Sequence, residues 1–510
     1  MRHIMEYSTL IFWIGTVVFV GTYVLIASEK VHKTVAALLG AMLMLLVILP
    51  GPGHSSAEPA PAAESVAAEN GIPAETDAGQ ALLQEERADA LAQTEQAMSA
   101  VTGRKAMVRN AELYDKLDTF SRYSNFDVVF TLAGMMLLVN LLSGTGLFQY
   151  VAIRCAKVAR GLPIRTMILL VLATAFLSAF LDNVTTILLV APVTLLVCNE
   201  LGVPPIPFLM AETMASNIGG TATLIGDPPN ILIGASCNLS FNDFLINLTP
   251  VVLIVMAVTL GVVLLQMRKN LRTAPSAVAQ VRLTEPKLAI LEPARLSRSM
   301  WVFAFVLLGF FTSRLTGLEP GIIAICGAFV MALVCKIELS HMLEKVEWNT
   351  ILFFSGLFMM VGALEIDGVF NSLGQWMIHM TDGNFALTMM IILWGSAILS
   401  AVIDNIPLVI SMIPLIQSIV PIFAGQMGIA GSEELITAQI REPLFWALAL
   451  GACLGGNGTL IGASANVVVC QIARKNRYPV TFWQFTRYGF PLMILSVAIC
   501  SVYLYFRYIF

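Results

Sequence analysis

The chain has 510 residues, of which 57% are hydrophobic and 12% charged, with a formal net charge of −4. Soluble proteins average about 25% charged residues, so there are too few polar side chains here to cover a globule of this size. That excludes a soluble enzyme, a nucleic-acid binder or a disordered scaffold, and the small net charge marks no acidic or basic partner. The composition is that of a polytopic, multi-pass membrane protein.

The first apolar stretch, residues 10–27, is too long for a signal-peptide core and lacks a strongly basic flank. It reads as a retained transmembrane helix. Apolar runs able to cross a hydrocarbon layer of about 30 Å occur near residues 8–28, 34–50, 126–142, 247–267, 299–316, 319–336, 348–363 and 487–508. Residues 51–124 are rich in Ala, Pro and Glu and read as a polar extramembrane loop with one or two surface helices. The expected division is 1–50 for the first two transmembrane helices, 51–124 for the loop and 125–267 for the rest of a first repeat. A cytoplasmic linker follows at 268–298, and a second repeat fills 299–510.

The repeat is explicit in the residues. At a constant offset of 222, Gly134 falls on Gly356, Gly146 on Gly368, Phe148 on Phe370 and Asp182-Asn183 on Asp404-Asn405. The offset then becomes 236, and Thr223-Leu224-Ile225-Gly226 falls on Thr459-Leu460-Ile461-Gly462, with Asn230 on Asn466. An ordered series of this kind marks a duplication. Each half reads as three helices and an amphipathic surface segment, followed by a hairpin with Asp-Asn at its tip, a broken helix and a final helix. The hairpins are expected at 163–200 and 385–424, and the broken helices at 203–236 and 441–474. Helices of about 15 residues flank each tip, short for separate crossings, so each hairpin is read as re-entrant. Five full crossings per half then invert the second half, the inverted-repeat architecture of secondary transporters. Charge bias agrees: the segments placed in the cytoplasm hold 19 of the 29 Lys and Arg, with both termini outside.

Asp182 and Asp404 are carboxylates in strongly apolar surroundings. Such residues face cavities and carry ions or protons, and the bland alternative is a helix cap at the tip. Their repetition in both halves favours a site. The second constellation joins Asn217, Gly219, Gly220, Thr221, Thr223, Asp227 and Asn230 to their counterparts Gly455, Gly456, Asn457, Thr459, Ser464 and Asn466. Clustered Gly followed by Pro cannot continue a helix, and unwound backbone at membrane depth is tolerated where protein or a cavity satisfies it. Freed carbonyls with Asn and Thr oxygens suit a small cation, and exposed half-helix N-termini suit an anion. The bland alternative for the glycines is close helix packing. Thr185 and Asn183, with Asn405, complete the expected ion-binding set. Glu212 and Asp227 break the symmetry, falling on Leu448 and Ala463. For each, proton coupling competes with a structural pairing to Asn or Thr.

The segments FLDNVTTILLVAPV, SNIGGTATLIGDPPN and SAVIDNIPLVISMIP resemble the ion-transporter superfamily, in its branch of arsenite permeases, NhaD-type antiporters and P-protein-like, citrate-transporter-like permeases. The resemblance covers residues from about 126 to 505. It implies a homodimer with a scaffold and a mobile transport domain that moves as an elevator. In the divalent-anion/sodium symporters of this superfamily each tip carries Ser-Asn-Thr. Here Asp182-Asn183-Val184 and Asp404-Asn405-Ile406 stand at those places, so Ser has become Asp and the Thr hydroxyl is lost. Two carboxylates repel a dianion unless cations or protons neutralise them first.

The expected function is a secondary active ion transporter, a proton-coupled sodium/proton-type antiporter. Asp182 and Asp404, with Glu212, are its candidate proton carriers, sodium or protons are its coupling ions, and it needs no other metal or cofactor. Its surroundings are the lipid bilayer of the inner cell membrane. The alternative keeps the fold but moves an anion such as arsenite, citrate or another carboxylate. An intramembrane aspartyl protease requires Gly where Leu224 stands, and leaves the duplicated tips unexplained.

Overall fold

The computed structural model describes residues 2–28, 31–47, 126–267, 285–338, 342–344, 346–366 and 368–510. The expected loop at 51–124, the first part of the linker and Asp367 lie outside the described residues. The first half holds α1 (Arg2–Ser28), α2 (Lys33–Val47), α3 (Phe126–Ser143), α4 (Leu147–Val158), α5 (Pro163–Ser178), α6 (Asn183–Leu201), α7 (Ile206–Gly220), α8 (Pro228–Cys237) and α9 (Phe241–Met267). The second holds α10 (Pro293–Thr316), α11 (Pro320–Cys335), α12 (Trp348–Ile366), α13 (Val369–Met380), α14 (Phe385–Ser400), α15 (Asn405–Gln426), α16 (Glu442–Gly455), α17 (Ser464–Lys475) and α18 (Phe482–Tyr508). Each helix of the first half thus has its counterpart nine places on.

Six of the described helices, α6, α9, α10, α12, α15 and α18, are long and apolar enough to cross a membrane, and eight spans result if each of two bent pairs counts as one. The protein is an all-α polytopic membrane protein of two matched halves. Two lengths differ from expectation. At 19 and 22 residues, α6 and α15 are longer than the 15 or so expected beyond the tips. Each runs through internal proline, Pro192 in α6 and Pro414 and Pro421 in α15, which buried helices tolerate when neighbours satisfy the freed carbonyls. Likewise α10 begins at Pro293, inside the stretch read as linker, because proline is favoured in the first helical turn.

Packing crosses between the halves in matched pairs. In the first set, α3 packs on α11 as α2 packs on α12. Gly134 and Gly356 explain why the repeat keeps glycine there: a Cβ on Gly134 would lie 2.5 Å from the Ala324 backbone, and one on Gly356 would lie 2.9 Å from that of Ala37. In the second set, α8 packs on α15 as α17 packs on α6. The broken helix of each half therefore leans on the hairpin of the other, and the two tips meet.

Candidate functional site

Both broken helices are built the same way. Asp227 and Ala463 precede α8 and α17 in extended backbone, with φ/ψ of −142/131° and −146/143°. The Ser178 hydroxyl donates to the Ser216 carbonyl at 2.8 Å, and its counterpart Ser400 donates to that of Ala452 at 2.6 Å. Thr223 and Thr459 donate to the carbonyls of Ala179 and Ala401 in the two hairpin turns. Asn230 Nδ2 donates to Thr223 O at 2.8 Å, as Asn466 Nδ2 does to Thr459 O. These bonds satisfy the backbone that the breaks leave free, which burial would otherwise penalise.

Between the two breaks lies a wholly buried polar network. Asn183 Nδ2 donates to Asp227 Oδ1 at 3.2 Å, and Asn405 Nδ2 donates to Oδ1 and Oδ2 at 3.3 and 3.2 Å. One carboxylate therefore receives an amide from each hairpin tip. Although Asp227 holds the N-cap position of α8, it makes no cap bond; its oxygens face the tips instead. Asn183 Nδ2 also reaches Asn217 Oδ1 at 3.3 Å, and Asn217 Nδ2 donates to Asn457 Oδ1 and Asn466 Oδ1 at 2.9 and 3.1 Å. The halves are thus joined twice, through the Asp227 carboxylate and through the Asn217 amide.

The two tip aspartates have separate environments. Asp182 accepts from Thr185 N at 2.9 Å and so caps α6. Asp404 makes no cap bond on α15. Its Oδ2 accepts from Ser464 Oγ at 2.8 Å and lies 3.7 Å from Lys33 Nζ of α2, while Oδ1 is buried with no hydrogen-bond partner. Lys33 Nζ sits 5.3 Å from the Phe353 ring centroid. A cavity of about 650 Å³ opens elsewhere, between the ends of α8 and α9 and the turn joining α10 to α11. Leu224 of the first break reaches its wall, with Asp127, Asp243, Arg314 and Glu442.

A family model described as citrate transporter (CitMHS) matches residues 23–440. The chain belongs to the citrate transporter family. Relatives of this family member include an uncharacterized transporter of Mycobacterium tuberculosis, 39% identical over 97% of this chain and 98% of its own. The P protein of Mus musculus is 31% identical over 96% of this chain and 60% of its own length. Among solved structures, the YdaH transporter of Alcanivorax borkumensis shares the fold, with a TM-score of 0.52 at 14% identity over 76% of this chain and 86% of that one. The family member is a membrane transporter and not an enzyme.

Apart from the tip aspartates with Thr185 and Ser464, and from Thr223 and Thr459 that brace the hairpin turns, the sequence-derived set of this family member divides in three. Asn183, Asn217, Asp227, Asn405, Asn457 and Asn466 come together in the network. Asn230 and Thr221 act locally: Asn230 holds freed carbonyls, and Thr221 Oγ1 donates to Asn217 O at 2.8 Å. The carbonyls of Gly220, Thr221 and Thr223 are thus taken by Asn230, and those of Gly456 and Thr459 by Asn466. The glycines do packing work. A Cβ on Gly219 would lie 2.2 Å from Ala175 O, and on the matching Gly455 2.5 Å from Ala397 O. Gly220 and Gly456 likewise face the backbone of Gly226 and Gly462.

Sequence reasoning placed Asp227 in the ion-binding set as an unmatched carboxylate, with proton coupling or a structural pairing to Asn or Thr as its two readings. It passed over Lys33, and over Cys453, whose Sγ lies 3.6 Å from Asn230 Oδ1. The offset of 236 carries Asn217 onto Cys453, which is the signal that could have found it. Nothing in the sequence places Lys33 beside Asp404.

Proposed function

We propose that this protein is a secondary active transporter of the inner cell membrane that exchanges protons for a small cation, sodium in the first instance. The observation that carries this reading is the Asp227 carboxylate, buried and held by Asn183 and Asn405 from opposite hairpins. Asp182 and Asp404 interact electrostatically with Asp227, and Lys33 sits at the edge of the cluster, 3.7 Å from Asp404 and 3.5 Å from Ser464 Oγ. Three carboxylates against one ammonium favour a cation or a proton and repel an anion. The amide N–H groups of Asn183 and Asn405 satisfy the Asp227 carboxylate. Turned about, the same side chains present Oδ1 to a cation, since Asn is both donor and acceptor.

The moving part is the unit of hairpins and broken helices, α5–α8 with α14–α17, carried as an elevator against α1–α3 and α10–α12 of a homodimer. A second reading follows from the family description, which names citrate. A carboxylate anion would enter this cluster only with protons or cations to offset its charge. Ligand-linked stability separates the two. Sodium at one hundred times its dissociation constant raises stability by about 2.7 kcal/mol. The melting temperature in detergent should therefore rise with sodium at constant ionic strength in the native protein and stay flat in Asp227→Asn. A rise with citrate alone would favour the second reading.

A further inference from the structure

Glu212 of α7 is fully buried. Its Oε1 accepts from Thr194 Oγ1 of α6 at 2.7 Å, while Oε2 is buried and has no hydrogen-bond partner. The titratable groups that interact with it are the thiols of Cys155 on α4 and Cys198 on α6. Neither supplies a positive charge. Thr194 lies eleven residues along α6 from Asn183, about 16 Å at 1.5 Å per residue, so this carboxyl stands apart from the Asp227 network.

The second half provides an internal control. The offsets that align the hydrogen bonds of Ser178 with those of Ser400 carry Thr194 onto Ile416 and Glu212 onto Leu448. Both counterparts are fully buried, and α15 packs on α16 as α6 packs on α7. The same position in the same fold is thus filled by an apolar pair. Burying a carboxyl with an orphan oxygen is costly, and a well-packed apolar pair does the structural work at lower cost. The fold therefore does not require the acid.

We propose that Glu212 is a second proton-binding site, present in the first half alone and separate from the Asp227 network. This rests on the reading that transport is proton-coupled. Oε2 takes a proton from water as an O–H bond forms, and returns it when that bond breaks; Thr194 holds the carboxyl in place through Oε1. The proton and the cation then travel on different residues of one moving unit.

The test copies the second half into the first. The double variant Thr194→Ile/Glu212→Leu should fold and melt at the native temperature or above, and keep its sodium-linked stabilisation. Its cation-driven proton flux should fall at least tenfold, as should that of Glu212→Gln. Native coupling in both variants would overturn the proposal, and so would a melting temperature several degrees lower in the double variant, which would make the pair structural. A flux-independent readout separates this from failure of the antiporter reading. Infrared difference spectra across a pH titration should show a protonated carboxylic C=O band in the native protein that is lost in Glu212→Gln. If native protein moves no protons but the band titrates, the antiporter reading alone fails. If no such band is assignable to Glu212, the proton site itself is refuted.

Discussion

Asp182 and Asp404 occupy matched positions at two hairpin tips and yet hold different partners. Asp182 gives an oxygen to Thr185 N, whereas Asp404 turns to Ser464 and Lys33. The cap reading of an Asp-Asn tip is thus realised in the first half, whereas in the second the carboxylate turns to side chains of α17 and α2. Removing an N-cap side chain costs about 1 kcal/mol, while Asn caps nearly as well as Asp. Asp182→Ala should therefore lower the melting temperature, and Asp182→Asn should leave it within the error of the measurement. Asp404→Asn should also leave it nearly unchanged, because Lys33 is 39% exposed and a pair so placed is screened to between about 0 and 1 kcal/mol. Thermal unfolding in detergent checks all three, and an Asp182→Ala that melts at the native temperature, or an Asp182→Asn that loses as much as Asp182→Ala, would contradict the cap. At this scale sequence named the members of the network, Asp227 among them, without setting Asp227 above the tips. Repetition draws the eye to Asp182 and Asp404, but a residue that joins two halves need occur only once, and Asp227 does.

The elements were more legible than the side chains, for a physical reason. Apolar length, proline at helix starts and the glycine breaks are local signals, and the helices around both hairpins and both breaks begin and end within a few residues of the expected limits. What was underread is the arm beyond each tip, taken as about 15 residues where α6 has 19 and α15 has 22. The shift of offset from 222 to 236 falls after the second hairpin, where a short helical turn at Glu433–Ile436 and a π-helical turn at Thr437–Arg441 intervene. The glycines were read as part of an ion site with close helix packing as the alternative, and in the structure they bring backbones together. Gly219→Ala and Gly455→Ala each drive a Cβ into a carbonyl oxygen of the facing hairpin helix. Overpacking of this kind costs typically about 1–3 kcal/mol. Both variants should melt several degrees lower, whereas Gly395→Ala, with open space around its Cβ position, should not.

In the whole molecule, composition alone established a membrane protein and the duplication established two matched halves. The way the halves interlock was beyond reach, because contacts such as α8 on α15 and α17 on α6 join residues at least 168 positions apart (405 − 237). Polar ties also run from the first two helices to the second hairpin. Tyr23 OH donates to Pro407 O at 2.8 Å and lies 2.6 Å from Ser411 Oγ, and Lys33 reaches Asp404. An elevator movement of α14–α17 against α1 and α2 must break both. The central claim is that Asp227 carries a cation in exchange for protons. It is tested most directly by reconstituting the protein in liposomes with an internal pH dye and adding sodium, lithium or potassium outside. The account predicts proton movement triggered by at least one of these cations in native protein, abolished in Asp227→Asn that still melts cooperatively. Undiminished cation-driven proton flux in Asp227→Asn, or flux only with citrate or another carboxylate in the native protein, would contradict it.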